Sequence, residues 1–165
     1  MATYAANTTV SVEKSRAEIE RTLTRYGADS FMYGWNKEGA MIAFVMDVNE
    51  SEKRSVRFHL PLPDKNSHEF TWSSRGRRSP ETIEKLWEAA CRQRWRALSL
   101  VVKAKLEAVE SGIATFEEEF LAYIMLPDGE TVGEWVKPQL ADAYDPDKRL
   151  MPSTLRLQLP AGSAQ

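Results

Sequence analysis

The stretch that decides the fold is residues 79–112, which read SPETIEKLWEAACRQRWRALSLVVKAKLEAVESG. Ser79 is a good helix N-cap, and Pro80 follows at the first helical position, where the missing N–H of proline costs nothing. Gly112 is the natural stop at the other end. Because apolar residues occupy most faces of the helical wheel between these ends, the pattern predicts one long, buried, central helix.

Three strands are predicted in front of this helix. A short turn that ends in a glycine joins the first two into a hairpin, and strict alternation in the third turns one face to a core and one to water. The middle strand is apolar on both sides, which suits the centre of a sheet. The predicted strands are residues 30–35, 40–47 and 55–60, with a charged connection at 48–54.

Three further helices complete the pattern. The first is amphipathic and ends at Gly27, and the last two each begin with a Thr-x-x-Glu capping box. They are predicted at residues 11–26, 115–126 and 131–144, the last with a kink or a broken start because of Pro138. Residues 64–78, between the sheet and the central helix, are predicted to be a polar loop.

The resulting order, α-β-β-β-α-α-α, is typical of an α+β domain in which a three-stranded antiparallel meander packs on a long central helix. A chain of 165 residues suits one such domain. We expect residues 11–144 to form it, with a flexible N-terminus at 1–10 and an extended C-terminal tail at 145–165.

Composition limits the cellular compartments and the classes of binding partner to be considered. The formal net charge is −2, so there is no bulk basic signal for nucleic acid. The single cysteine, Cys91, excludes an intramolecular disulfide and favours a reducing cytoplasm. There is no apolar run of about 18 residues and no basic-then-apolar leader, so we expect neither a membrane span nor a secretory signal.

Residue patterns that carry catalysis are missing. The sequence has no HExxH, CxxC or GxSxG motif and no phosphate-binding glycine loop. Two histidines, His59 and His68, and one cysteine do not make a metal site. Cys91 lies inside the apolar helix, where a small core residue is the simpler interpretation. We therefore expect a protein that is not an enzyme, with no catalytic residue, metal or cofactor.

Positive charge and aromatic side chains meet in two places. The 64–78 loop carries arginines just before a helix N-terminus, whose free N–H groups favour anions. The water-facing side of the third strand is also basic, and a tryptophan of the loop offers a stacking surface. A solvated loop and an ordinary solvent-facing sheet are the alternatives. The candidate nucleic-acid-binding residues are Arg54, Arg57, His59, Trp72, Arg75, Arg77 and Arg78.

The central helix carries further positive charge along one line. Glutamates share that line at i,i+4 spacing, so a salt-bridged solvent face is favoured over a phosphate-tracking surface. Arg94 and Lys105 instead point to the apolar side, where each must snorkel, pair with a carboxylate or face a partner. The predicted i,i+4 pairs are Glu81–Lys85, Glu88–Arg92 and Lys103–Glu107.

The α-β-β-β-α order over residues 11–112 is similar to the double-stranded RNA-binding domain, whose second helix starts with a lysine-rich cluster. In this chain Arg75, Arg77 and Arg78 precede the helix instead. The meander on a long helix also resembles the core of phage single-strand annealing proteins, which form rings and hold DNA in a basic groove. Most of the chain resembles small proteins of unassigned function in tailed phages and prophages, through RYGADSFMYGW, RQRWRALSLVVKAKLEAVESGIATFEEEFLA and LPDGETVGEWVKPQL.

Two main functional hypotheses follow. The first is a non-catalytic phage protein that binds nucleic acid, above all single-stranded DNA, in recombination or replication, with annealing as the most concrete role and a homo-oligomer as the expected form. The second is an anti-defence protein that inhibits or sequesters a host immune factor or its nucleotide signal. Both act in the host cytoplasm without a membrane partner. A structural or assembly role rests on the leucines of the tail and on exposed aromatic residues.

Overall fold

The computed structural model describes residues 8–36, 39–49 and 52–145, so the predicted C-terminal tail and most of the predicted flexible N-terminus lie outside the described residues. The α+β architecture predicted from the sequence is confirmed. The elements in chain order are α1 (Val12–Arg25), β1 (Ala28–Asn36), β2 (Gly39–Asn49), β3 (Glu52–Leu60), α2 (His68–Thr71), β4 (Trp72–Ser73), β5 (Gly76–Arg77), α3 (Pro80–Glu110), α4 (Phe116–Phe120) and α5 (Val132–Tyr144). A 3₁₀ turn, Leu121–Tyr123, follows α4.

β1, β2 and β3 form the predicted antiparallel meander, in that order. The long charged connection predicted at 48–54 is wrong, because β2 runs to Asn49 and β3 begins at Glu52. Lys53 stands directly opposite Asp47 in the ladder, and the two side chains form an ion pair of 3.4 Å. Opposite charges facing each other across two strands stabilise the pairing, so charged residues continue the sheet here instead of ending it.

Helices cover one face of this sheet and build the core against it. Ile19 and Leu23 of α1 are fully buried there. Phe120 of α4 packs edge-on against Phe44 and Phe58, with ring centroids 6.0 Å and 6.2 Å away. Such edge-to-face contacts add to the stabilisation that apolar burial supplies. The buried residues of α3 are Cys91, Trp95, Leu98, Ser99, Val102 and Leu106.

The predicted ends of α3 are confirmed, but its predicted burial on most faces is wrong. Ser79 Oγ accepts the Thr82 N–H at 3.3 Å, and Gly112 follows the helix with φ of 70°. Leu86 is 38% and Val101 is 43% exposed. The reason is that α3 meets the sheet, α1 and α4 along one stripe and leaves its other side to water.

Residues 64–78, which we call the strap, are folded rather than a plain loop. They contain α2 and a β4–β5 hairpin in which Trp72 pairs with Arg77 and Ser73 with Gly76. Phe70 is 7% exposed and anchors the strap. Strands of two residues are too short for an alternating pattern to reveal, so the sequence predicted only a polar loop here.

The helix predicted at 115–126 is shorter in the structure. α4 ends at Phe120 because the chain turns back to the edge of β3, where the Met125 N–H donates to Ser55 O at 2.8 Å. Both predicted capping boxes are present, at the start of α4 and of α5. α5 continues through Pro138 without a break, so the broken start is wrong.

Candidate nucleic-acid interface

The β4–β5 hairpin presents three of the predicted residues to solvent. Trp72 and Arg77 stand opposite each other in the ladder, so their side chains share one face of the hairpin. Arg75 lies in the turn, where its N–H donates to Ser73 Oγ at 3.3 Å. Trp72 is 47% exposed, and its ring lies nearly parallel to that of His68, with centroids 6.2 Å apart. One aromatic ring and two guanidinium groups are therefore open to a ligand.

Arg78 differs from these neighbours because it holds the strap together. Its Nη1 donates to the carbonyl oxygens of Glu69 and Phe70 at 2.6 Å and 3.1 Å. Its backbone N–H donates to Thr71 O at 2.9 Å, which extends the hairpin ladder by one bond. Arg78 is half-buried as a result. The geometry gives this arginine a role in fixing the hairpin, and its predicted contact with nucleic acid stays a prediction.

A hollow of about 470 Å³ lies between the strap and the first turn of α3. Arg77 and Lys65 line it from the strap, and Pro80 and Glu84 line it from the helix. The N-terminus of a long helix favours anions. Lys65 forms an ion pair with Glu84, whereas Arg77 has no ion pair within the described chain. Arg77 therefore brings uncompensated positive charge to this end of α3.

The two predicted arginines of β3 are paired with carboxylates. Arg57 Nη2 lies 2.7 Å from Glu134 Oε2 at the start of α5. Arg54 Nη2 lies 3.0 Å from Glu52 and 3.9 Å from Glu117 of α4. Such partly exposed pairs stabilise the fold only weakly. The two arginines point to opposite faces of the sheet, since they are three residues apart on β3. Both are nevertheless neutralised, because a phosphate must displace a carboxylate to reach either one.

Glu134 connects the capping of α5 to β3. Its Oε2 accepts the Thr131 N–H at 2.7 Å as well as the Arg57 guanidinium. The Thr131 backbone N–H, together with the Thr131 hydroxyl and the Arg57 charge, holds the pKa of Glu134 below its ordinary value of 4.5. The carboxylate is therefore ionised at neutral pH and keeps Arg57 engaged.

His59 lies near the opposite end of β3. It is exposed and borders a shallow hollow of about 210 Å³ with Trp35 and Met41. Along the same outer face of the sheet, Ala43 stands opposite Arg57 and is buried. This face is an apolar stripe with single basic residues beside it, and it does not form the basic surface that the sequence predicted.

The predicted residues thus fall into two groups. The hairpin group consists of Trp72, Arg75 and Arg77, with Arg78 as its anchor. The strand group consists of Arg54, Arg57 and His59, spread along β3. The hairpin packs on α2 and through it on α3, whereas β3 packs on β2, α3 and the 3₁₀ turn. The two groups therefore belong to separate parts of the surface.

The charges of α3 are paired differently from the prediction. Of the three predicted i,i+4 pairs, Glu88–Arg92 is the one within ion-pair distance among the described residues, at 3.9 Å. Arg96 instead forms an ion pair with Glu18 of α1. This long-range contact ties the two helices together and cannot be seen from spacing within α3.

The two charges that were predicted on the apolar side of α3 are accommodated in different ways. Lys105 Nζ donates to Glu119 O at 2.6 Å and to the Glu119 carboxylate at 3.1 Å. Arg94 is exposed and makes only a long contact of 3.5 Å with Pro61 O. Lys105 therefore needs no partner protein to satisfy its charge, and Arg94 satisfies its charge in water.

A third hollow was not foreseen from the sequence. It is a cavity of about 460 Å³ between α1, the end of β1 and the first half of α3. Trp87 and Trp95 of α3 line it, and in the sequence they looked like ordinary core positions of the long helix. A tryptophan pair eight residues apart on the long helix was the available signal. Only the tertiary structure shows that the end of β1 lies beside these two tryptophans.

Comparison with protein-family models, with curated proteins and with solved structures finds no match to this chain. The resemblances noted in the sequence therefore remain predictions. Across residues 8–36, 39–49 and 52–145, no helix is long and apolar enough to cross a membrane. The same ranges contain no group of three or more His, Cys, Asp or Glu side chains arranged to hold a metal ion.

Proposed function

We propose that this chain is a non-catalytic phage protein that binds single-stranded DNA through the hairpin group, and that it acts in recombination or replication, with strand annealing as the most concrete role. The observation that carries the proposal is the shared face of Trp72 and Arg77, with Arg75 in the adjoining turn. An exposed ring stacks on a base while guanidinium groups contact the flanking phosphates. The phage setting rests on the resemblance in sequence.

Single strands are favoured over duplexes because a base must leave its own stack before a tryptophan ring can cover it. The site is also small, since the strand group is neutralised by carboxylates and the net charge is −2. One chain therefore contacts few phosphates and binds weakly. A homo-oligomer would multiply the site along one strand and raise the overall affinity without any new contact.

The test is binding of a labelled oligo-dT strand over a series of salt concentrations, with the wild type and the double variant Arg75→Glu, Arg77→Glu. The wild type should bind at low salt and lose affinity as salt rises, with a log–log slope of about −0.7 for each phosphate contact. The variant should bind roughly 10- to 100-fold more weakly, and its log–log salt slope should fall by about 0.7 for each phosphate contact removed.

The matched control is Lys103→Glu, Lys137→Glu, which makes the same change in net charge. Both lysines are exposed and have no ion pair within the described chain. This control should keep most of the wild-type affinity. Equal losses in the two double variants would show that only net charge matters, and no wild-type binding at low salt would end the proposal.

A second candidate function, inhibition of a host defence factor by direct protein contact, is favoured by the surface of α5. Leu140 is 49% and Tyr144 85% exposed, and at i,i+4 spacing the two side chains lie on the same face of the helix. Neighbouring exposed apolar side chains are typical of protein-binding surfaces, and tyrosine is among the residues that dominate the energetics of many interfaces.

The two functions separate in a pull-down from nuclease-treated host lysate. Under the second function, a host protein stays bound to the wild type and to the Arg75→Glu, Arg77→Glu variant. The same protein should be lost from Leu140→Ser, Tyr144→Ser. Retention by this last variant, or retention that disappears with nuclease, would contradict inhibition through α5.

A further inference from the structure

The cavity beside α1 is walled by aromatic rings. Its volume of about 460 Å³ is in the range of small-molecule sites. Trp95 is buried, and the Tyr33 ring lies 5.5 Å from it between centroids. Trp87 is fixed by its Nε1–H, which donates to Pro63 O at 2.8 Å. Trp35 is 75% exposed at the end of β1. The cavity therefore offers both fixed rings and one solvent-exposed ring to a planar ligand.

Charged side chains of both signs border these rings. α1 contributes Glu13 and Arg16, and α3 contributes Glu88 and Arg92. The Arg16 guanidinium lies over the Tyr33 ring, with Cζ 3.6 Å from its centroid. The Arg16 Nε is buried and has no hydrogen-bond partner in the described chain. Arg92 and Glu88 are only loosely paired, at 3.9 Å. Each helix thus brings one carboxylate and one guanidinium to the cavity.

We propose that this cavity binds the base of a guanine nucleotide. The Watson–Crick edge of guanine carries adjacent N–H donors that a carboxylate accepts, and its O6 and N7 accept two hydrogen bonds from a guanidinium. Its flat faces stack on aromatic side chains, as bases do in pockets that hold them outside a helix. Adenine lacks that paired donor edge. The cavity lining has two carboxylates and two guanidinium groups, so it suits an amphoteric base better than a bare anion.

The proposal does not rest on the hairpin group, because the cavity and the hairpin are built from different residues. Two sources present the same base: a free guanine nucleotide and a guanine within a single strand. The chemistry of recognition is common to both, and the experiment distinguishes them.

GMP and AMP are titrated into the full chain, with heat and tryptophan fluorescence as readouts. GMP should bind roughly 5- to 100-fold more tightly than AMP, because one good bidentate contact to a base gives discrimination of that size. Trp35→Ala should weaken GMP binding roughly fivefold or more by removing a stacking ring. Because Trp35 is exposed, we expect this variant to fold as the wild type does, and circular dichroism checks that it does. Glu88→Gln should reduce the preference for GMP over AMP.

Trp135→Ala is the matched control, since it removes an exposed tryptophan from α5, away from the residues that line the cavity. It should leave the GMP affinity unchanged. Absence of GMP binding at millimolar concentration, equal affinities for GMP and AMP, or equal losses in the two tryptophan variants would each overturn the proposal.

The source of the base is assigned with oligo-dT strands that contain or lack one guanine. Tighter binding of the guanine-containing strand that disappears in Trp35→Ala supports recognition within a strand. GMP binding without that gain supports a free nucleotide. If GMP binds while no strand does, the proposed function fails and the cavity site stands. If strands bind through the hairpin and GMP does not bind, the cavity site fails alone.

Discussion

The strand group and the hairpin group carry the same kinds of residue but have different surroundings. Arg57 of the strand group meets Glu134, which lies 77 residues further along the chain. Arg75 and Arg77 of the hairpin group meet no carboxylate within the described residues. The difference shows that a cluster of arginines in a sequence becomes a binding surface only where the fold brings no acidic side chain to it.

The largest effect that distinguishes the groups is expected from charge reversal. Arg57→Glu replaces an ion pair by repulsion with Glu134 and disturbs the capping of α5, so the free energy of unfolding should fall by about 1–2 kcal/mol. Arg77→Glu should change it by less than about 0.5 kcal/mol, as is usual for an exposed residue without partners. Urea denaturation of the three proteins measures both changes.

Glu134→Gln provides the check on this interpretation. Glutamine keeps the capping box but carries no charge, so it removes the repulsion and leaves the helix start intact. Arg57→Glu should therefore cost clearly less in the Glu134→Gln background than in the wild type. Equal losses in both backgrounds would show that Arg57 stabilises the protein through packing alone.

The comparison also explains which parts of the fold the sequence predicts. Helix starts were predictable because N-capping is local: Ser79, Thr115 and Thr131 all accept the expected backbone N–H groups. The sheet order was predictable because the alternation in β3 and the turn-type sequence that ends at Gly39 are local patterns as well. Ion pairs such as Arg57–Glu134 depend on the packing of α5 beside β3, and no local pattern encodes that packing.

The candidate sites follow the same division. Trp72, Arg75 and Arg77 were predicted because a basic run precedes a helix cap within one short stretch. The cavity beside α1 was not predicted, since Arg16 and Trp87 come from separate elements that meet only after α1 packs on α3. Sites within one segment are visible in the sequence, and sites between segments require the fold.

A smaller effect should separate the two adjacent arginines of the strap. Arg78→Ala removes the bonds to the carbonyls of Glu69 and Phe70, so it should lower the free energy of unfolding by about 1 kcal/mol. Arg77→Ala should have almost no effect on stability. Hydrogen exchange of the strap amides should become faster in the first variant alone.

The same two variants should also differ in how they change DNA binding. Arg77→Ala should weaken oligo-dT binding by loss of a phosphate contact, which reduces the salt slope by about 0.7. Arg78→Ala should weaken binding through a disordered hairpin while changing that slope less. Identical salt slopes in the two variants would contradict the separate roles of anchor and contact.

The smallest effect expected is the pH dependence that Glu134 contributes. The Thr131 N–H and Arg57 lower the pKa of Glu134 in the folded chain, so its stabilising contribution is complete above 4.5 and is lost as the pH falls through the lowered folded value. Because the side chain is largely exposed, the contribution should be below about 1 kcal/mol.

Glu134→Gln should therefore be less stable than the wild type at pH 7, and the gap should close in acid as the wild-type carboxylate becomes protonated. The comparison cancels the titration of all other carboxylates, because both proteins contain them. Glu130→Gln is the matched control, since the Glu130 carboxylate has no partner in the described chain and its gap to the wild type should stay near zero at both pH values. If the difference in free energy of unfolding between Glu134→Gln and the wild type persisted unchanged below pH 4.5, the charge of Glu134 would not be the source of its stabilising effect. The ion pairs of the strand group would then neutralise its arginines without stabilising the fold.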